Sequence, residues 1–309
     1  MTVQHLVLSG GGSTMGFATF GIVKEAIEKG ILRLADLKSL YSTSAGSIVG
    51  PLFCLGIRLS EIEEWLIHKP WQQLFEIDPE TLLDGYESGG WLTREVVSEL
   101  YDNLLLSADL DTEITLKGLF ERSGVDIHLF CTELTATECK KCDMSHSSHP
   151  DLSLKDAIYR SACIPVIFRP LTDGGSVYLD GGICNNFPFD SWRADYPDAR
   201  LDDVLGVRYI LDKETSDEYN TADVRIPILL MRLLRNLLAC INKKHPEEKE
   251  VKYMCDVTQE VVRHTDFFSV LADKSMRVKL IREDAIRIVN PVIERYFIEN
   301  PISPPEPTA

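Results

Sequence analysis

Apolar positions follow two periods along this chain. Short apolar runs bounded by glycine, serine or proline read as buried strands: Leu6 to Ser9, Ser39 to Thr43, Val125 to Cys131, Ile164 to Pro170, Tyr178 to Asp180 and Val204 to Leu211. Longer stretches between them read as helices: Phe17 to Lys29 closed by Gly30, Ala45 to Leu55, Thr93 to Leu106, Leu116 to Ser123 and Asp156 to Ser161. Ser60 to His68 adds another, with Ser60 and Glu63 at capping-box spacing. Strand, loop and helix in repetition predict an α/β fold. Beyond Thr221 the pattern becomes helical. Leu229, Leu230, Leu233, Leu234, Leu237, Leu238 and Ile241 form a stripe, and Glu247 to Glu260 and Lys274 to Phe297 read as further helix. Asn300 to Ala309 is proline-rich and reads as a frayed tail.

Composition narrows the function. The 309 residues are 44% hydrophobic and 26% charged, with a formal net charge of −16. That balance excludes a nucleic-acid binder, whose affinity rests on Lys and Arg against phosphate. It also opposes general attraction to anionic lipid. The local exception is the stripe above, where Arg225, Arg232, Arg235, Lys243 and Lys244 make a basic amphipathic stretch. Such a helix either packs on the core or gives peripheral contact with a membrane. The eight cysteines are scattered and read as reduced thiols of a cytoplasmic protein. Neither a secretory signal nor a membrane span is expected.

Three loops carry candidate chemistry. Gly10-Gly11-Gly12 follows the first strand and misses both the dinucleotide and the phosphate-loop registers. It is read either as a plain glycine turn or as a cradle of backbone N–H groups at a helix start, suited to a developing negative oxygen. Ser42-Thr43-Ser44-Ala45-Gly46 is one residue off G-x-S-x-G, the turn that lifts a serine nucleophile out of a sheet. Asp180-Gly181-Gly182 places a carboxylate at a strand end before a glycine turn. A serine needs a base, and a buried carboxylate within hydrogen-bond reach can serve. A Ser–His–Asp triad would draw instead on His245 or His264. Trp65, Trp71 and Phe75 read as core packing or the lining of an acyl site. Cys139, Cys142, His146 and His149 look like metal ligands, but the gap between the pairs is too short for a usual zinc site, and a polar hairpin is the better reading.

Taken in order, these motifs resemble the patatin-like phospholipase family over residues 5 to 211. The likeness rests on Gly10-Gly11-Gly12, Ser44 on its turn, Cys131-Thr132-Glu133-Leu134-Thr135, Ser161-Ala162-Cys163-Ile164-Pro165, the run to Phe168 and Pro170, and Asp180-Gly181-Gly182 with Asn186 and Pro188. The resemblance implies a three-layer α/β/α fold with a central, mostly parallel sheet. It implies a catalytic domain over 1–211, with the helical 212–309 region packed on it. It also implies hydrolysis of a phospholipid or other acyl-ester lipid without metal or other cofactor. Ser44 would be the nucleophile, Asp180 the base, and Gly10, Gly11 and Gly12 the oxyanion hole, supported by Ser42, Gly46, Gly181 and Gly182. Two departures stand out. Ser42 replaces the family's glycine, and Gly10 to Gly16 reads G-G-G-S-T-M-G, one residue longer and without a basic side chain. A catalytically weakened binding or scaffold protein of the same fold, or a phosphate- or nucleotide-binding α/β domain, are the alternatives.

Overall fold

The computed structural model describes residues 3–75, 84–85, 87–210, 245–258, 261 and 269–299. Its main sheet contains β1 (His5–Leu8), β2 (Ser39–Thr43), β4 (Asp126–Leu134), β5 (Cys139–Met144), β7 (Leu171–Asp173), β8 (Ser176–Asp180), β9 (Val204–Ile210) and β10 (Tyr253–Thr258). The order is β10-β9-β1-β2-β4-β8-β7, with β5 also paired to β4. The first five of that order run parallel, and β8 and β7 continue antiparallel. β3 (Gly90–Leu92) and β6 (Val166–Phe168) form a separate parallel pair.

Alternation sorts the strand residues onto two covered faces. Leu6, Leu8, Leu40, Leu129, Leu205 and Val207 enter the larger core. Val7, Tyr41, Phe130 and Val204 enter a smaller one, where Phe189 and Trp192 of α7 (Phe189–Asp195) cover them. Burial on both sides is why these strands read as nearly continuous apolar runs. The larger core is covered by α1 (Gly12–Glu28), α2 (Ala45–Val49), α3 (Leu59–His68), α4 (Glu95–Ser107), α5 (Leu116–Ser123) and α6 (Leu154–Ser161). From the C-terminal part come α8 (Ser269–Ala272), α9 (Lys274–Val278), a π-helical turn (Lys279–Asp284) and α10 (Ala285–Glu299). The result is a central sheet flanked by helices, the layered α/β architecture expected.

Some elements differ from the sequence pattern. Glu247 to Glu260 is not helical throughout: a 3₁₀ turn (Pro246–Glu250) leads into β10. Buried Tyr253, Cys255 and Val257 alternate there with more exposed neighbours, a period of two that pairs with β9. Ser60 lies inside α3, whose N-cap is Arg58 with no side-chain cap, so the capping box does not form. The expected Ala45 to Leu55 helix shortens to α2 and continues as a 3₁₀ turn, with Pro51 near its start. The basic stripe from Ile226 to Ile241, His264 and the proline-rich tail lie outside the described residues. No described helix is long and apolar enough to cross a membrane.

β4 holds three partners. β5 covers one edge from Leu129 to Leu134. On the other edge β2 pairs with Asp126 to Phe130, and β8 takes over from Cys131 to Leu134. Thr43 therefore stands opposite Phe130, and Asp180 opposite the next residue, Cys131.

Candidate active site

The shared edge of β4 brings Ser44 and Asp180 together. Ser44 is the residue after β2, and Asp180 is the last residue of β8, so the two strand ends abut at one point of the sheet. Ser44 is buried, with φ 52° and ψ −120°, a conformation that L-residues rarely adopt. Such backbone strain costs on the order of 1–3 kcal/mol and persists only when surrounding contacts hold it. The Ser44 carbonyl accepts the N–H groups of Ser47 at 2.8 Å and Ile48 at 3.1 Å as α2 begins. Its own N–H donates to Ser161 Oγ at 3.0 Å. Small neighbours are required as expected: a Cβ on Gly46 would stand 2.7 Å from the Leu8 carbonyl oxygen.

Ser42 is fully buried, and its side chain finds room and a partner. Its Oγ lies 3.2 Å from Ser47 Oγ on the first turn of α2. The turn accepts serine where the resemblance expects glycine because a neighbouring hydroxyl satisfies it.

Asp180 is buried at the head of a 3₁₀ turn (Gly181–Ile183), and its Oδ1 accepts the Gly182 N–H at 2.7 Å. Burial pushes its carboxyl up to about 6 from 3.8, against the opposing pull of the neighbouring Ser44 hydroxyl and the Gly182 N–H. Oδ2 itself has no aligned hydrogen-bond partner among the described residues. That loose geometry is common in unliganded catalytic pairs.

The glycine loop closes the third side. Gly10 donates its N–H to the Asn186 carbonyl at 3.1 Å, so it contributes chiefly by lacking a side chain. A Cβ there would meet Asn186 Oδ1 at 2.6 Å and Ser44 Cβ at 2.8 Å. Gly11 caps α1 and Gly12 is its first residue. Their N–H groups belong to the helix end, where backbone donors have no partner within the helix and the dipole favours negative charge.

An apolar cavity opens beside Ser44, lined by Gly12, Gly16 and Phe17 of α1 and by Ala45, Ile48 and Val49 of α2. Val96, Val97 and Leu100 of α4 also line it, with Ala162, Ile164, Phe168, Trp71 and Leu271. Both α1 and α2 start at the site, with Gly12 and Ala45 as their first residues. Trp71 is buried edge-on against Phe17 at 5.4 Å, and its Nε1 donates to the Leu66 carbonyl at 2.7 Å. Trp71 therefore both packs and lines, while Trp65 packs edge-on against it at 5.4 Å. The Phe75 side chain lies outside the described residues. Sequence reasoning missed the α4 wall, because its apolar stripe is that of any amphipathic helix.

The other candidate residues go elsewhere. Cys139 and Cys142 lie on β5, the returning strand of a hairpin with β4, while His146 stacks on Phe120 at 3.8 Å and His149 contacts Ser148. Among the described residues they form no metal cluster with one another. His128, Asp143 and Asp195 do converge, on the sheet face of the smaller core. There His128 Nδ1 lies 2.9 Å from both Asp143 oxygens, and Asp195 accepts from the Tyr41 hydroxyl at 2.7 Å. Burial disfavours the charged His128 ring, but the Asp126 and Asp143 carboxylates outweigh it and push its pKa up to about 9. His245 caps a 3₁₀ turn by accepting the Glu247 N–H.

Comparison with known proteins gives a consistent set of likenesses. A family model described as patatin-like phospholipase matches residues 6–192, a span that includes Gly10–Gly12, Ser44, Ser161 and Asp180. The chain is 27% identical over 190 residues to "Probable lipid hydrolase 463L" of Invertebrate iridescent virus 6, a match taking in 60% of this chain. It spans 62% of that curated relative. Among solved structures it is similar to VipD from Legionella pneumophila, with a TM-score of 0.49 and 15% identity over 94% of this chain and 67% of that one. It is also similar to full-length ExoU, solved with SpcU, from the type III secretion system of Pseudomonas aeruginosa. There the TM-score is 0.45, with 16% identity over 95% of this chain and 52% of that one.

Proposed function

The chain belongs to the patatin-like phospholipase family, and from that premise we propose that it hydrolyses acyl-ester lipids through a Ser44–Asp180 dyad. One observation carries the reading: a buried carboxyl pushed up to about 6 lies beside the hydroxyl of a serine held in a strained turn, at the end of an apolar cavity.

The acyl chain enters the cavity between α1 and α2, with its ester carbonyl at Ser44. Asp180 takes the hydroxyl proton as Ser44 Oγ attacks, a role that requires the carboxylate form. The N–H groups of Gly11 and Gly12 then face the developing oxyanion, since Gly10's N–H is held by Asn186. Protonated Asp180 returns its proton to the leaving alcohol. A water molecule, activated by the same carboxylate, releases the fatty acid from the acyl-enzyme. The substrate is a phospholipid or another acyl-ester lipid, met at a membrane or micelle surface.

Fatty-acid release from phospholipid vesicles and from p-nitrophenyl esters tests this. Ser44→Ala is expected to abolish turnover and labelling by a fluorophosphonate probe. Full hydrolysis by folded Ser44→Ala protein would remove the dyad from consideration. No hydrolysis by the native chain, with no probe labelling, would favour a binding protein of the same fold.

A further inference from the structure

The segment Ser161-Ala162-Cys163 holds the main chain of both dyad residues. Ser161 Oγ accepts the N–H of Ser44 at 3.0 Å. Two residues on, the Cys163 carbonyl accepts the N–H of Asp180 at 2.8 Å. Ala162, between them, lines the cavity beside Ser44. All three residues are buried.

Ser161 is also tied to the strand that sets the register. Its Oγ lies 2.6 Å from the Phe130 carbonyl oxygen and 2.8 Å from Ser47 Oγ. A carbonyl can only accept, so the single Ser161 proton goes to Phe130. The Ser47 hydroxyl then supplies the proton of the Ser47–Ser161 contact, and Ser42 can supply that of the 3.2 Å contact with Ser47. Ser161 thus accepts from Ser44 and Ser47 while donating to Phe130. Phe130 stands opposite Thr43, and the next residue, Cys131, stands opposite Asp180.

We infer that Ser161 is a positioning residue for the dyad. It fixes the strained Ser44 against the same strand and segment that fix Asp180, and so sets how close the hydroxyl and carboxylate stand. The backbone of Ser44 has helix-type bonds on its carbonyl side, and on its N–H side it has this one side-chain oxygen. Without it, the turn can relax and carry Oγ away from the base. The inference rests on the Ser44–Asp180 reading of the reaction.

The test is Ser161→Ala, with Ser161→Cys as a near-isosteric second variant whose sulfur is a weak acceptor. Both are assayed on a soluble ester alongside Ser44→Ala. Ser161→Ala is expected to lower kcat by on the order of 10²-fold, the scale of a misplacement near 1 Å, with KM little changed. Ser161→Cys should fall between it and the native chain. The acid limb of kcat/KM should also move to higher pH, because a displaced Ser44 hydroxyl no longer opposes the effect of burial on Asp180. A merely structural role would lower the amount of folded enzyme without moving that limb. Folded Ser161→Ala protein with native kcat and an unmoved limb would overturn the inference. If it does not fold, the same outcome in Ser161→Cys would do so. Loss of activity in Ser44→Ala together with native behaviour in the Ser161 variants would sink this inference alone. Native activity in Ser44→Ala would sink the dyad itself.

Discussion

As the proposed base, Asp180 would serve reaction and folding in opposite directions. Its carboxyl titrates at about 6 in the folded chain against 3.8 when exposed. Above about pH 6 the folded protein must hold a buried charge that the unfolded chain keeps in water. Stability from this group is therefore greatest below the exposed value and falls as pH rises toward 6. The shift corresponds to about 3 kcal/mol. Asp180→Asn keeps an oxygen for the Gly182 N–H and removes the charge. It is expected to raise Tm at pH 7 by several degrees while abolishing ester hydrolysis, and the gain should vanish near pH 4 or below. Calorimetry at the two pH values checks this. In the native chain, kcat/KM should decline below about pH 6 as the base is protonated. Tyr178-Leu179-Asp180-Gly181-Gly182 made the carboxylate legible in sequence, but its raised pKa was not, because it depends on which distant residues bury it. Ser42 was legible only as a departure; the hydroxyl that accommodates it, Ser47, lies five residues along on a different element.

At the scale of elements, the cavity is lined by two helices that start at the site and by Trp71. Trp71→Leu removes aromatic volume from the lining and keeps an apolar wall. The ratio of kcat/KM for a dodecanoyl over a butanoyl p-nitrophenyl ester is expected to rise about tenfold, the scale of discrimination that apolar pockets achieve. An unchanged ratio in folded protein would mean that Trp71 is packing alone. The strands β1 and β2, with their turns, were readable because a glycine loop and a serine turn interrupt apolar runs at the points where helices must start. β10 was not readable as a strand. Tyr253 to Thr258 is short, and its period of two was hidden beside charged Glu247 to Glu250, which suit a helix equally well. The hold of Ser161-Ala162-Cys163 on Ser44 and Asp180 was likewise invisible, since its partners lie more than a hundred residues away for Ser44 and on a separate strand for Asp180.

Across the whole molecule the two faces of the sheet differ in chemistry. The site opens toward the larger core, while the smaller core carries His128 between Asp126 and Asp143. The His128 pKa, raised from 6.5 to about 9, means that its contribution to stability is fully present below 6.5 and is lost as pH rises through 9. His128→Gln is expected to flatten the decline of Tm between pH 6.5 and 9; an unaltered slope would show that this cluster does not govern alkaline stability. His128 and Asp180 together make rising pH unfavourable to the fold while it favours the proposed base. The shared edge of β4 adds a consequence in time. β2 and the serine turn are translated early, but the strand that carries Asp180 follows only after the hairpin, α6 and β7. At about 5–20 residues per second, Ser44 leaves the ribosome on the order of ten seconds before Asp180. Throughout that interval a nascent chain carries the proposed nucleophile without its proposed base, so on this reading no ester hydrolysis can begin until the strand that carries Asp180 has docked.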